Sequence, residues 1–275
     1  MKLYHVKSGV IAGHEGKYYH VADDWTAFIN DDLVLEKTRA LLKTAAVVEA
    51  PADTDWLPVI GEGQELWACG VTYYRSMQGR QEESKSSGGA DFYAKVYEAE
   101  RPECFFKSNP IRVAAHRGRV RIRKDSSWDV PEPELTLVVT SSGTIIGYTI
   151  GNDMSSRSIE GENPLYLPQA KTYDGCASLG PCVYLAAEVL SPDTQISMQI
   201  LRDSDTVFSG SIPLSQMKRK PEELVGYVYR ESSFPAGCLI MTGTGIVPGS
   251  DFTLQGGDEI RITIDPMGTL INWVE

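Results

Sequence analysis

The stretch "ELTLVVTSSGTIIGYTIGND", residues 134–153, leaves little freedom to the fold. Two runs of aliphatic and β-branched residues flank a polar break at Ser141, Ser142 and Gly143. That pattern predicts an antiparallel hairpin turning at Ser142-Gly143. A lone hairpin is marginal in water and needs further strands to cover it. The chain supplies them: "VRIRKDSSWDV", "CVYLAAEV", "TQISMQILRDSDTVFSGSI", "CLIMTGTG" and "DEIRITIDPMGTLINWV" have the same character. "SQMKRKPEELVGYVYRE" predicts a helix among them.

The first sixty residues read as a smaller unit. "KLYHVKSGVIA" and "KYYHVA" predict short strands. Phe28, Leu33, Leu35, Leu41 and Leu42 have helical spacing. "EAPADTDWLPVIGEGQ" reads as a linker. The expected organisation is an N-terminal α/β unit over residues 1–62 and a mainly β, α+β unit over 63–275. "RSMQGRQEESKSSGGA", residues 75–90, is polar and Gly/Ser-rich. It is expected to be a loop that is either disordered or a lid closing over a site. "DFYAKVYEAE" after it predicts a short helix.

With 37 acidic and 26 basic residues, the net charge is -11. A field of that sign argues against nucleic acid and anionic membranes as partners. No run reaches the roughly 18–20 apolar residues of a membrane span, and the N-terminal residues show no signal-peptide core. Five scattered cysteines without C-x-x-C fit reduced thiols and a cytoplasmic location.

The chemistry gathers at "WDVPEPEL". Glu132 and Glu134, two apart on a strand, share one face. Like charges so close raise each other's pKa unless a cation sits between them. Alone, the pair also suits a solvated strand end blunted by Pro131 and Pro133. The returning strand argues for the cation, because it brings Asp153 back beside the two glutamates. Three carboxylates with no His or Cys close by in sequence suit a hard cation, Mg²⁺, with Mn²⁺ or Ca²⁺ as alternatives. Lys171, in "ENPLYLPQAKTYDGCASLGP", would then serve as a general base or as a cation for an enolate or carboxylate. Arg157 is expected to pair with a carboxylate or, like Arg75, to meet an anionic substrate. "MTGTGIVPG" is a glycine-rich turn whose backbone N–H groups can receive an anion, which makes Gly243 and Thr244 candidate substrate contacts.

In order, "PEPEL", "GYTIGNDMSSR", the lysine stretch ending in "LGP", and "TGTGIVPG" resemble the fumarylacetoacetate hydrolase superfamily over about residues 63–275. The resemblance implies a mixed β-sandwich roll, a homodimer or homotetramer, and a divalent cation on Glu132, Glu134 and Asp153. "RPECFFK", "SSWDVPEPEL" and "EGENPLYLPQAK" are most similar to the superfamily's dehydratases of 2-keto-3-deoxy sugar acids such as 2-keto-3-deoxy-D-arabinonate. That likeness implies Glu103 and Lys171 at the active site. Superfamily members that hydrolyse C–C bonds carry a histidine after the first strand of this unit; "GVTYYRSMQGRQEE" has none. Dehydration needs a base, an acid and an electrophile, but no activated water. The expected function is a Mg²⁺-dependent lyase for a small anionic 2-keto acid, giving 2,5-dioxopentanoate. Acylpyruvate-type hydrolysis, keto-acid decarboxylation and a non-enzymatic metal-binding β module are the alternatives.

Overall fold

The computed structural model describes residues 1–83, 90–186 and 188–275. The chain opens with β1 (Lys2–Val6), β2 (Gly9–His14) and β3 (Lys17–Ala22), then α1 (Trp25–Ile29), α2 (Val34–Leu41) and β4 (Val47–Val48). The helical spacing from Phe28 to Leu42 thus yields two helices. They part where polar side chains engage the backbone. Asn30 Nδ2 donates to Pro235 O at 2.9 Å, and Asp31 Oδ1 accepts the Leu33 amide at 2.9 Å.

β5 (Glu65–Gly70) is followed by α3 (Tyr74–Glu83) and α4 (Ala90–Glu98). This corrects the loop expected from Arg75 onward: residues 74–83 are helical. Low apolar content misled the reading. The buried wall of this helix is polar, with Ser76 and Arg80 both buried. The rest of the expected loop, residues 84–89, lies outside the described residues. Next come β6 (Glu103–Ser108), β7 (Val113–Ala114) and β8 (Arg119–Val120).

The hairpin is β9 (Asp129–Val139) and β10 (Ile145–Ser156). α5 (Arg157–Glu162), α6 (Leu167–Lys171), β11 (Ala177–Leu185), β12 (Gln195–Arg202), β13 (Asp205–Pro213), α7 (Pro221–Val228), β14 (Cys238–Met241), β15 (Glu259–Ile264) and β16 (Gly268–Val274) complete the described chain. Among these residues no helix is long and apolar enough to cross a membrane.

Two mixed sheets pack face to face. The larger runs β4-β3-β2-β1-β11-β10-β9-β14-β5-β6, with β7 also on β11; the smaller runs β13-β12-β15-β16-β8. The smaller sheet alternates buried and more exposed residues along β15, as expected with one face to the core and one to water. Its Ile196, Met198, Ile200, Ile260 and Ile262 meet Leu135, Leu137, Val139 and Ile150 of the hairpin. On the opposite face, Val138, Leu179, Leu239 and Met241 pack with Trp25, Phe28 and Ile29 of α1. β9 is therefore buried on both faces along its whole length. β1 pairs with β11 through Lys2↔Tyr184 and Leu3↔Val183, so the boundary expected at residue 62 runs through one continuous sheet.

Candidate active site

The hairpin register sets Asp153 directly opposite Glu132 and Gly151 opposite Glu134. β14 covers the other side of β9 only from Val139 to Thr136. Pro131 and Pro133 have no N–H to offer a further strand, so this end of β9 is left open to side chains from elsewhere. The end is nonetheless dry: Glu132, Glu134 and Asp153 are all buried. One carboxylate oxygen from each lies within 4.8 Å of the others.

Cations close in from three elements. α6 ends at Lys171, whose Nζ donates to Glu132 Oε2 at 2.8 Å, Asp153 Oδ2 at 2.9 Å and Ser155 Oγ at 2.6 Å. Ser156 caps α5 by accepting the Ile159 amide. That cap sets Arg157 at the start of the helix, with Nη2 2.7 Å from Glu132 Oε1. β6 supplies Lys107, whose Nζ lies 2.6 Å from Asp153 Oδ1. A further pair, Arg80 of α3 with Glu160 of α5, is buried against this group.

The three acids are not equivalent. Burial alone would raise Glu132, but Lys171, Arg157 and Arg80 outweigh it and hold this carboxyl below the ordinary range. Glu134 is pushed well above that range by burial, then by Asp153 and Glu132. Its Oε2 accepts the Gly243 amide at 2.5 Å. Gly243 has φ +92°, and a Cβ there would fall 2.1 Å from Thr72 Oγ1, so only glycine can bring that amide in. Three buried oxygen donors fit a hard divalent cation. A cation between them would also cancel the repulsion that now burdens Glu134.

The enclosed cavity is small, about 10 Å³, or room for about one water. Glu132, Glu134, Asp153, Lys171, Arg157 and Arg80 line it, with Gly70, Gly243 and Thr244.

Residues 74–275 match the family described as Fumarylacetoacetate (FAA) hydrolase C-terminal. The chain belongs to this family. A "Probable 2-keto-3-deoxyxylonate dehydratase" of Haloferax volcanii is 50% identical over 214 residues, covering 78% of this chain and 73% of that protein. A "2-dehydro-3-deoxy-D-arabinonate dehydratase" of Saccharolobus solfataricus is 43% identical over 213 residues, 77% of this chain and 72% of the other. A solved structure described as "2-keto-3-deoxy-D-arabinonate dehydratase complexed with magnesium and 2,5-dioxopentanoate" superposes with a TM-score of 0.83 at 32% identity, over 100% of this chain and 99% of that one. The mainly β architecture expected from the sequence is the fold of this fumarylacetoacetate hydrolase relative.

Within this family member, the residues singled out from the sequence separate into two groups. Glu132, Glu134, Asp153, Lys171, Arg157, Gly243 and Thr244 meet at one cavity. Glu103 stands beside it. A Cβ on Gly70 would fall 1.8 Å from Glu103 Oε2, and that oxygen is buried without a hydrogen-bond partner. Arg75 is not among the side chains lining the cavity; Arg80, five residues further along α3, is. Thr244 Oγ1 donates to Ile246 O at 3.2 Å, so its hydroxyl braces its own turn. Lys171 belongs to a helix end, not to an open loop.

Lys107, Arg80 and Glu160 were not evident in the sequence. Lys107 had a usable signal: in "ECFFK" it falls two and four residues from Phe105 and Glu103, on the same face of one strand. Arg80 sits in a polar stretch with no apolar periodicity to orient it.

Proposed function

We propose that this chain is a Mg²⁺-dependent hydro-lyase converting a 2-keto-3-deoxy sugar acid, such as 2-keto-3-deoxy-D-arabinonate, into 2,5-dioxopentanoate. The observation that carries the reading is Lys171 bridging Glu132 and Asp153 beside Glu134, in a chain similar to two dehydratases over most of its length. Glu132, Glu134 and Asp153 would hold the cation. When bound, it polarises the C2 keto group and acidifies the C3 hydrogens.

The side chains divide the remaining work. Burial opposes a charged Lys171, but Asp153, Glu132 and Glu160 more than offset it and keep the amine protonated. In this reading Lys171 acts as a cation and proton donor, and Glu103 as the base. The buried Glu103 oxygen without a hydrogen-bond partner, next to Gly70 of the cavity wall, supports that role. Loss of that proton with the C4 hydroxyl removes one water and leaves a C3–C4 double bond. Moving a proton from C5 to C3 gives a C4–C5 enol, which becomes the C5 aldehyde. Each proton-transfer partner contributes on the order of 10²–10⁴-fold. Arg157 and Arg80 supply positive charge for the substrate carboxylate. Ser76 and Arg80 of α3 form part of the wall that the substrate would meet. A homodimer or homotetramer is part of the same reading.

The test incubates purified protein with Mg²⁺ and 2-keto-3-deoxy-D-arabinonate and follows the semialdehyde. Turnover abolished by chelator is expected. Cleavage of an acylpyruvate without that turnover would overturn the dehydratase reading in favour of C–C hydrolysis.

A further inference from the structure

Cys69 and Cys104 lie outside the carboxylate cluster but touch its frame. They are direct cross-strand partners on β5 and β6, with Sγ atoms 3.6 Å apart. Cys69 is buried and Cys104 partly exposed. Cys69 belongs to the buried core and Cys104 packs against it, and Cys69 also lines the cavity between the carboxylates. The backbone between them faces the site. A Cβ on Gly243 would fall 2.8 Å from Cys69 O, and the Gly243 amide is the one that holds Glu134. The next cross-strand pair is Gly70 with Glu103.

We propose that Cys69 and Cys104 form a thiol–disulfide modification site, whose oxidation distorts the floor of the metal site and weakens its hold on the divalent cation. Antiparallel partners lie about 4.5–5.5 Å apart at Cα, within the roughly 4.4–6.8 Å that a disulfide spans. The link can therefore close on the folded chain. Bringing the sulfurs from 3.6 Å to the roughly 2.05 Å of an S–S bond pulls on β5 and β6 where Cys69 O lies against Gly243.

A low-molecular-weight disulfide such as glutathione disulfide is the oxidant. Cys104 attacks one of its sulfurs, forming a mixed disulfide and releasing one glutathione thiolate. Cys69 gives up its proton and attacks the Cys104 sulfur, expelling the second glutathione. Two protein thiols are oxidised and one glutathione disulfide is reduced to two thiols. Cys104 is the first attacker because it is the exposed member. The hydrogen bond from Cys69, aided by Arg219 and Arg101, also lowers its pKa against burial and Glu103.

The experiment treats Mg²⁺-loaded protein with glutathione disulfide and maps peptides by mass spectrometry without reduction. A Cys69–Cys104 cross-linked peptide is expected, with Mg²⁺ affinity weakened at least about 10-fold by calorimetry and restored by dithiothreitol. Cys104→Ser should keep its affinity through the same treatment. Absence of the cross-linked peptide, glutathione resting on Cys104 alone, or a cross-linked protein with unchanged Mg²⁺ affinity each overturns the proposal. The peptide map uses the unmodified chain, so it stands even if the variant folds poorly. Only the affinity readout rests on the metal reading above; if the reduced protein bound no Mg²⁺, that reading would fail separately.

Discussion

Lys107 donates a hydrogen bond to the backbone carbonyl of Lys171. The same ammonium donates to Met154 O at 2.9 Å and meets Asp153 Oδ1 at 2.6 Å. Two of its donors thus go to main-chain carbonyls, while its charge is paired with Asp153. One fully buried lysine fixes the main chain of the other and the Asp153 carboxylate together.

Lys107→Met should therefore cost stability first. It leaves the buried Asp153 carboxylate without this cation and two carbonyls without their donor, and breaking a buried pair costs about 3–5 kcal/mol. Urea denaturation of the metal-free protein measures it. A loss under about 1 kcal/mol would show that the contact is dispensable.

Lys171→Met should separate binding from chemistry. Turnover should fall on the order of 10²–10⁴-fold. Mg²⁺ affinity should hold or tighten, because an ammonium that competes for Glu132 and Asp153 is gone. Calorimetry beside steady-state kinetics reads both. Weakened Mg²⁺ binding would mean that Lys171 organises the carboxylates and does not compete for them.

Glu134 gives a pH signature. Its pKa in the metal-free fold is raised above the ordinary 4.5 by burial, Asp153 and Glu132. Between those two values the folded chain binds more protons than the unfolded one, so this group's contribution to stability falls as pH rises through the window. Mg²⁺ requires the ionised form and should release the proton. Calorimetry in two buffers of different ionisation enthalpy detects that release. Glu134→Gln should abolish the release and weaken Mg²⁺ binding by at least about 10–100-fold.

Gly70→Ala should report on Glu103 without replacing it. The new methyl would occupy the place of Glu103 Oε2, and a flexible side chain can swing away at modest cost. The expected result is a kcat loss of about 10–100-fold, since misplacement of a reacting group by about 1 Å is enough. The melting temperature should move little. Unchanged kcat would remove Glu103 from the role of base.

The hairpin and its acid triad were legible because both rest on local rules. A turn at Gly143 brings the return strand back past the two glutamates, and a β-bulge between Ile145 and Gly147 sets the register that puts Asp153 opposite Glu132. The open, dry end of β9 was half legible. The prolines were visible, but burial depends on α5, α6 and β6 arriving from elsewhere. Lys107 was hidden for the same reason: its acceptors belong to β10 and α6, so only tertiary structure shows that its charge is buried. The pairing of β1 with β11 spans some 180 residues, and no local pattern encodes such a register.

That pairing has a bearing on how the protein can be handled. A chain cut to begin at residue 63 would keep Glu132, Glu134, Asp153 and both buried lysines. It would also lose the strand that β11 pairs with at Val183 and Tyr184, and it would strip Leu3, Val10 and Trp25 from the apolar layer over Leu179 and Leu185. An unpaired, greasy strand margin is a template for other chains. The opening strand is thus a solubility element, and the shortened chain should be found in inclusion bodies although all three carboxylates proposed to hold the cation are still encoded.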